Sequence, residues 1–284
     1  MIEQLTRHLQ TRSDELAGQI AVMRRELQQD LGSLRYDGRA DRILATMLWI
    51  QSVEVAEDTL VSVVTATWNR SAKLMKAIQS LLAQTYSNWE LVIVDDGSTD
   101  DTEAQVKAVG DPRIRLIQAE HGGLSKARNR GLTDAKGSMM AYLDDDNTLH
   151  SEWIRSVAWA FQQQPEVDVL YGAHVRQTDR LLMDVEPAGL PAILFRPFDR
   201  QLLEQYSYID VGSVAHRAGM PEAHFDESLS VAGDYDLILR LTRDKPALAL
   251  PVIACLYHMG GQDRLSAVEA VEDEVRRIRA TLRR

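Results

Sequence analysis

The sequence predicts an α/β fold with a mainly parallel sheet flanked by helices, and with added helices at both ends of the chain. From residue 60 onward, short apolar runs alternate with amphipathic stretches of helical periodicity. This alternation is typical of parallel strands joined by crossover helices. Both ends of the chain instead show helical, charged patterns. We therefore expect a helical extension over 1–58, an α/β domain over 59–262 and a terminal helix over 263–284.

The composition excludes several classes of protein. The chain has 284 residues and a formal net charge of −10, which argues against a nucleic-acid partner because such binding surfaces are normally basic. No run approaches the roughly 20 apolar residues of a transmembrane helix, and no signal-peptide pattern opens the chain. The single cysteine, Cys255, can form no intrachain disulfide. We expect a cytoplasmic protein, with peripheral contact to a membrane left open.

The terminal segments predict helices by their apolar spacing. Apolar residues between Ile2 and Leu34 follow alternating steps of four and three, a heptad-like seam that polar residues interrupt. Such a seam serves either self-association, and hence a homo-oligomer, or packing on the chain's own domain. A second helix is expected over 40–55. A charged amphipathic helix over 265–282 could pack beside the first.

The α/β part is predicted element by element from β-branched runs and from apolar residues at helical spacing. Strands are expected at 61–66, 90–94, 114–118, 139–143, 167–173 and 248–256, an extended segment at 208–216, and helices at 72–83, 102–109, 125–134, 152–163 and 233–242. The stretch 176–197 contains several prolines and is expected to be a loop. Because ligands of such sheets bind beyond the carboxyl ends of the strands, the polar residues there form the candidate site.

The stretch from Ser138 to Asn147 is the strongest signal for a site. An apolar run over 139–143 is followed by three adjacent carboxylates, Asp144, Asp145 and Asp146. Like charges this close repel unless water or a cation surrounds them. Mg²⁺ is usually held by one or two carboxylates together with substrate phosphates. The alternative is an acidic loop that only caps the next helix.

Two other predicted strands also end in polar residues. The first leads into the segment Thr65–Arg70, and the second leads into Asp95–Asp100. Asp95 or Asp96 could accept a hydrogen bond from the imide N–H of a nucleobase, and Thr67 and Asn69 could meet the same ring. The alternative is a turn that only leads into the next helix.

A glycine pair, Gly122-Gly123, precedes a predicted helix whose first turns carry Lys126, Arg128 and Arg130. Glycines let the backbone approach a phosphate, and a helix N-terminus favours negative charge. Lys126 and Arg130 should share one face of the helix, while Arg128 points elsewhere. A solvated basic face is the alternative. Neither the Walker phosphate loop nor the dinucleotide-binding fingerprint is present.

Five ordered motifs together resemble the nucleotide-sugar-dependent glycosyltransferases of family 2, which have the GT-A fold. The motifs are Val-Ser-Val-Val-Thr-Ala-Thr-Trp-Asn-Arg, Leu-Val-Ile-Val-Asp-Asp-Gly-Ser-Thr-Asp, Ser-Lys-Ala-Arg-Asn-Arg-Gly, Tyr-Leu-Asp-Asp-Asp-Asn and Phe-Asp-Glu-Ser-Leu with Gly-Asp-Tyr-Asp-Leu. The resemblance covers about residues 60–241. It implies a Rossmann-like GT-A domain with a nucleotide-binding half at 59–150 and an acceptor half at 151–262.

The resemblance also implies roles for individual residues. Contacts to the nucleotide-sugar fall to Thr65, Thr67, Asn69, Arg70, Asp95, Asp96, Arg128, Asp144 and Asp145. Asp146, the last carboxylate of the Asp-x-Asp motif, would hold Mn²⁺ or Mg²⁺, and His258 is a second candidate for the metal or the diphosphate. The family's Glu-Asp pair reads Gly233-Asp234 here, so Asp234 inherits the role of catalytic base. Trp68 stands where the family more usually has tyrosine.

These residue types suit an inverting, metal-dependent transfer of a sugar. A divalent ion neutralises the leaving diphosphate, and a carboxylate on the opposite face takes the proton of the attacking hydroxyl. We expect a UDP-sugar as the favoured donor and a carbohydrate or glycoconjugate acceptor, in the synthesis of a surface polysaccharide or glycoconjugate. Asp210, His216 and Arg217 are unranked candidates on the acceptor side.

Two other functions stay open from the sequence. The first is a degenerate domain that binds nucleotide without transfer, which the missing glutamate at Gly233 favours. The second is a nucleotidyltransferase, which shares the need for metal and nucleotide. No glycine-rich triphosphate loop near Thr65 supports it.

Overall fold

The computed structural model describes residues 38–177, 193–258 and 270–282. The predicted seam between Ile2 and Leu34, most of the predicted 176–197 loop and the start of the predicted C-terminal helix lie outside these residues. The helices are α1 Arg39–Ser52, α2 Ser71–Leu82, α3 Thr102–Val109, α4 Leu124–Asp134, α5 Trp153–Gln163, α6 Arg200–Gln205, α7 Gly233–Leu241 and α8 Ala270–Leu282. Among them, none is both long and apolar enough to cross a membrane.

The strands form one sheet. They are β1 Val61–Thr67, β2 Trp89–Asp95, β3 Ile114–Gln118, β4 Met139–Tyr142, β5 Thr148–Leu149, β6 Val169–Gln177, β7 Ile193–Leu194, β8 Val214–Arg217 and β9 Leu248–His258. Their order is β3-β2-β1-β4-β8-β6-β9-β5, with β7 beside β6. The first four strands of this order are parallel to one another, so the carboxyl ends of β1, β2 and β4 meet at one edge. The predicted α/β class with a mainly parallel sheet is confirmed.

The central strands β1, β2 and β4 are buried along their whole length. Their side chains alternate between two faces, and each face is covered by helices. Val63 belongs to the cluster that α1, α2 and α5 cover, whereas Val64 belongs to the cluster under α7 and α8. Helix α4 approaches the second face closely, because a Cβ on Gly131 would lie 2.5 Å from Val64 Cγ1.

Helix α1 packs on this domain through the apolar face that its sequence predicted. Its buried residues include Ile43, Met47 and Ile50. The guanidinium of Arg155 on α5 caps its C-terminal end, donating to the carbonyl oxygens of Ile50 at 3.2 Å and Val53 at 2.6 Å. The helix is therefore tied to the sheet by burial and by hydrogen bonds to α5.

The second half of the chain departs from the expected elements in three places. Helix α6 was not predicted; it is short and begins where the Asp199 carboxylate accepts the Leu202 N–H. The expected extended segment 208–216 contains a 3₁₀ turn before β8, capped by Asp210. The expected loop at 176–197 begins as strand, because β6 continues its pairing with β9 as far as Gln177.

Candidate active site

The predicted strand-end residues meet at the carboxyl edge of the sheet. Thr67 at the end of β1 pairs with Asp95 at the end of β2. The aspartate triplet follows β4 on the other side of β1, where Thr67 Oγ1 donates to Asp145 Oδ2 at 2.8 Å. Parallel pairing therefore brings residues far apart in the sequence into one site.

Arg70 binds the triplet from the loop after β1. Its Nη1 donates to Asp145 Oδ1 at 3.1 Å and lies 3.4 Å from Asp146 Oδ2. Burial raises the pKa of Asp145 to about 6, although the Thr67 hydroxyl and the Arg70 charge oppose this rise. The three carboxylates thus lie in different surroundings: Asp145 is buried, whereas Asp144 and Asp146 are each about a quarter exposed.

Arg128 joins the triplet to the start of α7. Helix α4 places its guanidinium below the surface, where Nη2 donates to Asp144 Oδ1 at 2.6 Å and Nη1 donates to Asp234 Oδ1. Its charged group also lies over the Phe225 ring, 4.9 Å from the centroid. Burial would lower the pKa of Arg128, but the charges of Asp234 and Asp144 outweigh burial and raise it. One fixed cation therefore holds two carboxylates in place.

Asp234 lies at the beginning of α7, with 34% of its side chain exposed. Desolvation raises its pKa, the Arg128 charge opposes this, and the Asp144 charge raises it further. A Cβ on the preceding Gly233 would lie 3.2 Å from Ser125 Oγ. A side chain at this position, such as the glutamate of the family pattern, would therefore require a small shift of Ser125.

Asp96 holds the glycine pair in place. Its two carboxylate oxygens accept the N–H groups of Gly122 at 2.8 Å and Gly123 at 2.9 Å. His121 Nδ1 lies 2.9 Å from the same carboxylate. The His121 ring stacks on Trp68, with ring centroids 4.6 Å apart, and half of Trp68 is exposed. An open aromatic surface thus lies beside this loop.

A cavity of about 280 Å³ opens next to the same loop. Asp96, Glu120, Lys126 and Arg130 contribute to its lining. The two basic side chains share one side of α4, as predicted, while Arg128 points into the site. The cavity therefore offers both donors and acceptors of hydrogen bonds beside Asp96.

Asn69 and Asp95 shape the strand-end loops. Asn69 has a left-handed backbone with φ 53°, and its Oδ1 accepts the N–H of Thr99 at 2.7 Å. Asp95 Oδ1 accepts the N–H of Ser98 at 2.9 Å. The Oγ1 of Thr65 is buried and has no hydrogen-bond partner in the described residues. The oxygens of Asn69 and Asp95 thus already bind the backbone of the loop after β2.

The residues around Asp146 fit a divalent cation held jointly with a diphosphate. Within the described residues, no three His, Cys, Asp or Glu side chains are grouped to enclose a metal ion. A cage of that kind is not required, because Mg²⁺ usually keeps several waters and binds one or two carboxylates plus substrate phosphates. Asp146 offers a partly exposed carboxylate for this purpose. The predicted second ligand, His258, lies nearby, since its backbone N–H donates to Asn147 Oδ1 at 3.1 Å.

Of the three unranked acceptor candidates, only Asp210 lies in the site. Burial and the charges of Asp144 and Asp234 raise its pKa to about 7, and its Oδ1 accepts the N–H of Gly212. His216 is buried against the Tyr142 hydroxyl at 2.7 Å. Arg217 donates to backbone carbonyls at the end of α5, including Val167 O at 2.8 Å. His216 and Arg217 therefore make their contacts inside the domain and not at the candidate site.

Glu274, which no motif in the sequence singles out, contacts the loop before Asp234. Its carboxylate accepts four hydrogen bonds from the backbone and side chain of residues 230–232. No sequence signal distinguished it, because Glu272 and Asp273 are also acidic residues of the same predicted helix. Only the packing of α8 on the domain identifies the one that faces inward.

The family model described as glycosyl transferase family 2 matches residues 62–218, more than half of the chain. The chain therefore belongs to glycosyl transferase family 2, which confirms the predicted family and the predicted class of enzyme.

Individual proteins resemble the chain in the same region. WcaA of Escherichia coli strain K12, named as a colanic acid biosynthesis glycosyl transferase, is 34% identical over 191 residues, which are 64% of this chain and 66% of WcaA. The chain thus spans about two thirds of the length of that relative.

Two solved structures share the fold. Residues 1–349 of Staphylococcus aureus TarS, in complex with UDP-GlcNAc, align with a TM-score of 0.62 and 21% identity over 78% of this chain and 65% of TarS. The mannosyltransferase PcManGT of Pyrobaculum calidifontis, in complex with GDP-Man and Mn²⁺, aligns with a TM-score of 0.53 and 18% identity over 80% of this chain and 67% of PcManGT. At these identities the likeness shows the fold alone, and it confirms the predicted GT-A architecture.

Proposed function

We propose that this protein is an inverting, metal-dependent glycosyltransferase that moves a sugar from a nucleoside-diphosphate-sugar to a hydroxyl acceptor. One observation carries the proposal: Arg128 holds Asp144 of the triplet and Asp234 of α7 on a single guanidinium. A carboxylate with a raised pKa thus faces the acidic strand end where family members hold their donor. The short distance between the two carboxylates supports a catalytic base at Asp234 next to a donor held at Asp144.

Asp234 would be the catalytic base. Its side chain is partly exposed, so an acceptor hydroxyl can reach it. Its pKa is raised from the usual value, which makes it a better proton acceptor than an ordinary surface aspartate. Arg128 would keep the carboxylate oriented, while the second oxygen of Asp234 takes the proton of the attacking hydroxyl. Proton removal on the side opposite the leaving diphosphate gives inversion.

The donor would lie along the edge formed by β1, β2 and β4. We assign the nucleobase of the donor to the region of Thr67, Asn69 and Asp96, and its ribose and diphosphate to Asp144 and Asp145. Asp96 and Asn69 would act chiefly by fixing the loops that surround the base, since their oxygens already bind backbone N–H groups. The cavity of about 280 Å³ borders Asp96 on the side of α4 that carries Lys126 and Arg130.

Asp146 would hold Mn²⁺ or Mg²⁺, with His258 as the second candidate from this chain. When bound, such an ion neutralises the charge that develops on the leaving diphosphate. The donor set supports this assignment, because carboxylate oxygens are ligands that hard divalent cations prefer. The structure of PcManGT contains Mn²⁺, and because PcManGT shares the fold, it supports the proposal of a divalent ion here.

The biological setting follows from the relatives. WcaA is named for the biosynthesis of a polysaccharide, colanic acid, and TarS was solved with a UDP-sugar. We therefore favour a UDP-sugar donor and a carbohydrate or glycoconjugate acceptor in polysaccharide synthesis. We also keep the division into a helical extension, a transferase domain over 59–262 and a C-terminal helix, with Asp210 on the acceptor side.

A donor-hydrolysis assay tests the proposed function. The wild-type chain is incubated with UDP-glucose, UDP-N-acetylglucosamine and GDP-mannose, each with Mn²⁺, Mg²⁺ or EDTA, and release of nucleoside diphosphate is measured. We expect release from one donor, dependent on the divalent ion, and an inverted configuration in the sugar product. Release that persists unchanged in EDTA would contradict the metal, and no release from any donor with added polysaccharide acceptors would favour a domain that only binds nucleotide.

A further inference from the structure

The loop that leads to Asp234 is held from the side by the C-terminal helix. Glu274 of α8 is buried, with 4% of the residue exposed. Its Oε1 accepts the Ser230 N–H at 2.8 Å and the Ser230 hydroxyl at 2.7 Å. Its Oε2 accepts the N–H groups of Val231 at 3.0 Å and Ala232 at 2.8 Å. Four hydrogen bonds thus converge on one carboxylate just ahead of the proposed base.

This carboxylate binds the backbone at the start of α7, where the local sequence offers no capping side chain. The first N–H groups of any helix have no partner within the helix, and a Ser, Thr, Asp or Asn at the N-cap usually satisfies one of them. The N-cap residue of α7 is Ala232, which makes no side-chain cap. Glu274 accepts the N–H of this N-cap residue and of the two residues before it, so it fixes the backbone just ahead of the first helical turn. Its negative charge also suits the helix N-terminus.

The opposite side of the same loop is held by α4. Asn129 donates to Phe225 O at 2.9 Å and accepts the Phe225 N–H at 2.7 Å. Ser125 Oγ donates to Leu229 O at 3.1 Å. Helix α4 also carries Arg128, whose guanidinium binds Asp234. The segment 225–232 is therefore fixed to α4 at its beginning and to α8 at its end.

Helix α8 reaches this position by burying its apolar face in the core beside α7. Ile278 is 5% exposed and belongs to the same cluster as Leu229, Ala232 and Tyr235. Helix α8 also contacts α6, where Arg279 donates to Gln205 O. These contacts fix the position of α8, and therefore of Glu274, relative to the loop. The hydrogen bonds and the apolar packing thus act on the same segment.

We propose that Glu274 is a positioning residue for Asp234, so that full turnover depends on the docked C-terminal helix. The inference rests on the proposed function, in which Asp234 is the base. Only Gly233 separates Ala232 from Asp234, so a shift of the Glu274-bound loop moves the proposed catalytic base directly. Because a misplacement of about 1 Å can cost roughly 100-fold in rate, a small shift would suffice.

Glu274→Gln tests the inference. The amide keeps the size of the side chain, but it retains one acceptor oxygen and turns an N–H₂ group toward backbone donors. We expect kcat for donor hydrolysis to fall roughly 10- to 100-fold, while KM for the donor and the dissociation constant of UDP with Mn²⁺ stay within about twofold of wild type. Amide hydrogen exchange at 230–232, measured without donor, should become faster. The matched control is Glu272→Gln, an exposed glutamate on the same helix, which should behave as wild type.

Several outcomes would overturn the inference, and they separate from failure of the proposed function. An active wild type with an unchanged kcat in Glu274→Gln overturns the positioning role alone, as does an equal loss of kcat and of UDP affinity. A wild-type chain that releases no nucleoside diphosphate from any donor, even with added polysaccharide acceptors, overturns the proposed function and the role of Glu274 with it.

A milder variant decides the matter if Glu274→Gln does not fold. Ser230→Ala removes only the hydroxyl bond of the four and should lower kcat by roughly 2- to 10-fold at constant KM. An unchanged kcat in a folded Ser230→Ala protein would then contradict the positioning role.

Discussion

At the scale of single residues, Asp234 and Asp236 show how neighbouring carboxylates of one helix differ. Asp234 contacts Arg128 in the site, whereas Asp236 forms an ion pair with Arg240 one turn along α7, at 2.7 Å. The pKa of Asp234 is raised by desolvation. Identical side chains two residues apart thus have different surroundings, and of the two only Asp234 is bound to Arg128.

Asp234→Asn should abolish transfer and leave nucleotide binding nearly unchanged. The amide oxygen can still accept from Arg128, so the site keeps its shape, but the side chain can no longer take a proton. We expect kcat to fall by roughly 10²- to 10⁴-fold, and the dissociation constant of the nucleoside diphosphate, measured by calorimetry, to change less than about threefold. Asp236→Asn is the matched control and should retain transfer. A parallel loss of nucleotide affinity in Asp234→Asn would remove the base assignment.

Asp146→Ala should remove the effect of Mn²⁺ on diphosphate binding. Asp146 is the partly exposed carboxylate of the triplet next to Arg70, and its loss takes away the proposed protein ligand of the ion. The measurement is the affinity for UDP with Mn²⁺ and with EDTA: the wild type should bind more tightly with the ion, and the variant should bind equally in both. Asp244→Ala, a change at an exposed loop position, is the control. A variant that still responds to Mn²⁺ like the wild type would refute the ligand role.

The position of a single residue in the site could be predicted from the sequence where a local pattern indicated it. The triplet follows an apolar run, which predicted its position at the end of a strand. Asp210 could be named but not ranked, because a 3₁₀ turn and antiparallel β8 bring it toward Asp144 and Asp234. Glu274 carried no local signal at all, since its role depends on which face of α8 is buried.

At the scale of elements, α8 couples the end of the chain to the site through one ionised carboxylate. Burial raises the pKa of Glu274, but the hydrogen bonds from the backbone and hydroxyl of residues 230–232 outweigh burial and lower it to about 2. The unfolded chain has the ordinary value near 4.5. Because the folded value is the lower one, ionised Glu274 stabilises the fold above about pH 5, and this stability is lost as the pH falls from 4.5 toward 2.

The pH dependence of unfolding checks this coupling. The shift from 4.5 to about 2 corresponds to about 3 kcal/mol at most. Urea unfolding of wild type and Glu274→Gln should therefore differ most at pH 6 to 7, and the difference should shrink as the pH is lowered through 4.5. The comparison of two chains removes the contribution of all other carboxylates. Glu272→Gln should follow the wild-type curve, and a difference that stays constant from pH 7 to pH 3 would contradict the coupling.

At the scale of the whole molecule, the sequence predicted the parallel half of the sheet better than the mixed half. Runs such as Val61–Thr67 and Trp89–Asp95 are buried on both faces, so their composition alone reveals strands covered by helices. Strand direction in the second half depends on β8, which pairs antiparallel with both β4 and β6. Pairing between distant strands leaves no local pattern, and two-residue strands such as Thr148–Leu149 are too short to show a periodicity.

Ligand binding should raise the free energy of unfolding of the whole chain, because residues from β1, β2, β4, α4 and α7 together form the proposed site. A ligand that binds only the folded state stabilises it by about 2.7 kcal/mol when present at 100 times its dissociation constant. For a chain of this size, that corresponds to a rise in Tm of roughly 5 °C. The measurement is thermal unfolding with UDP, GDP, dTDP, CDP, ADP and NAD, each with and without Mn²⁺. We expect one nucleoside diphosphate to raise Tm, chiefly with the ion, and NAD to have no effect.

Two variants separate the donor site from the catalytic base in the same measurement. Asp146→Ala should lose the ion-dependent part of the rise in Tm, while Asp234→Asn should keep it. Equal rises in Tm for all diphosphates would instead indicate a site that recognises phosphate alone. That result would contradict the assignment of the nucleobase to the region of Thr67 and Asp96.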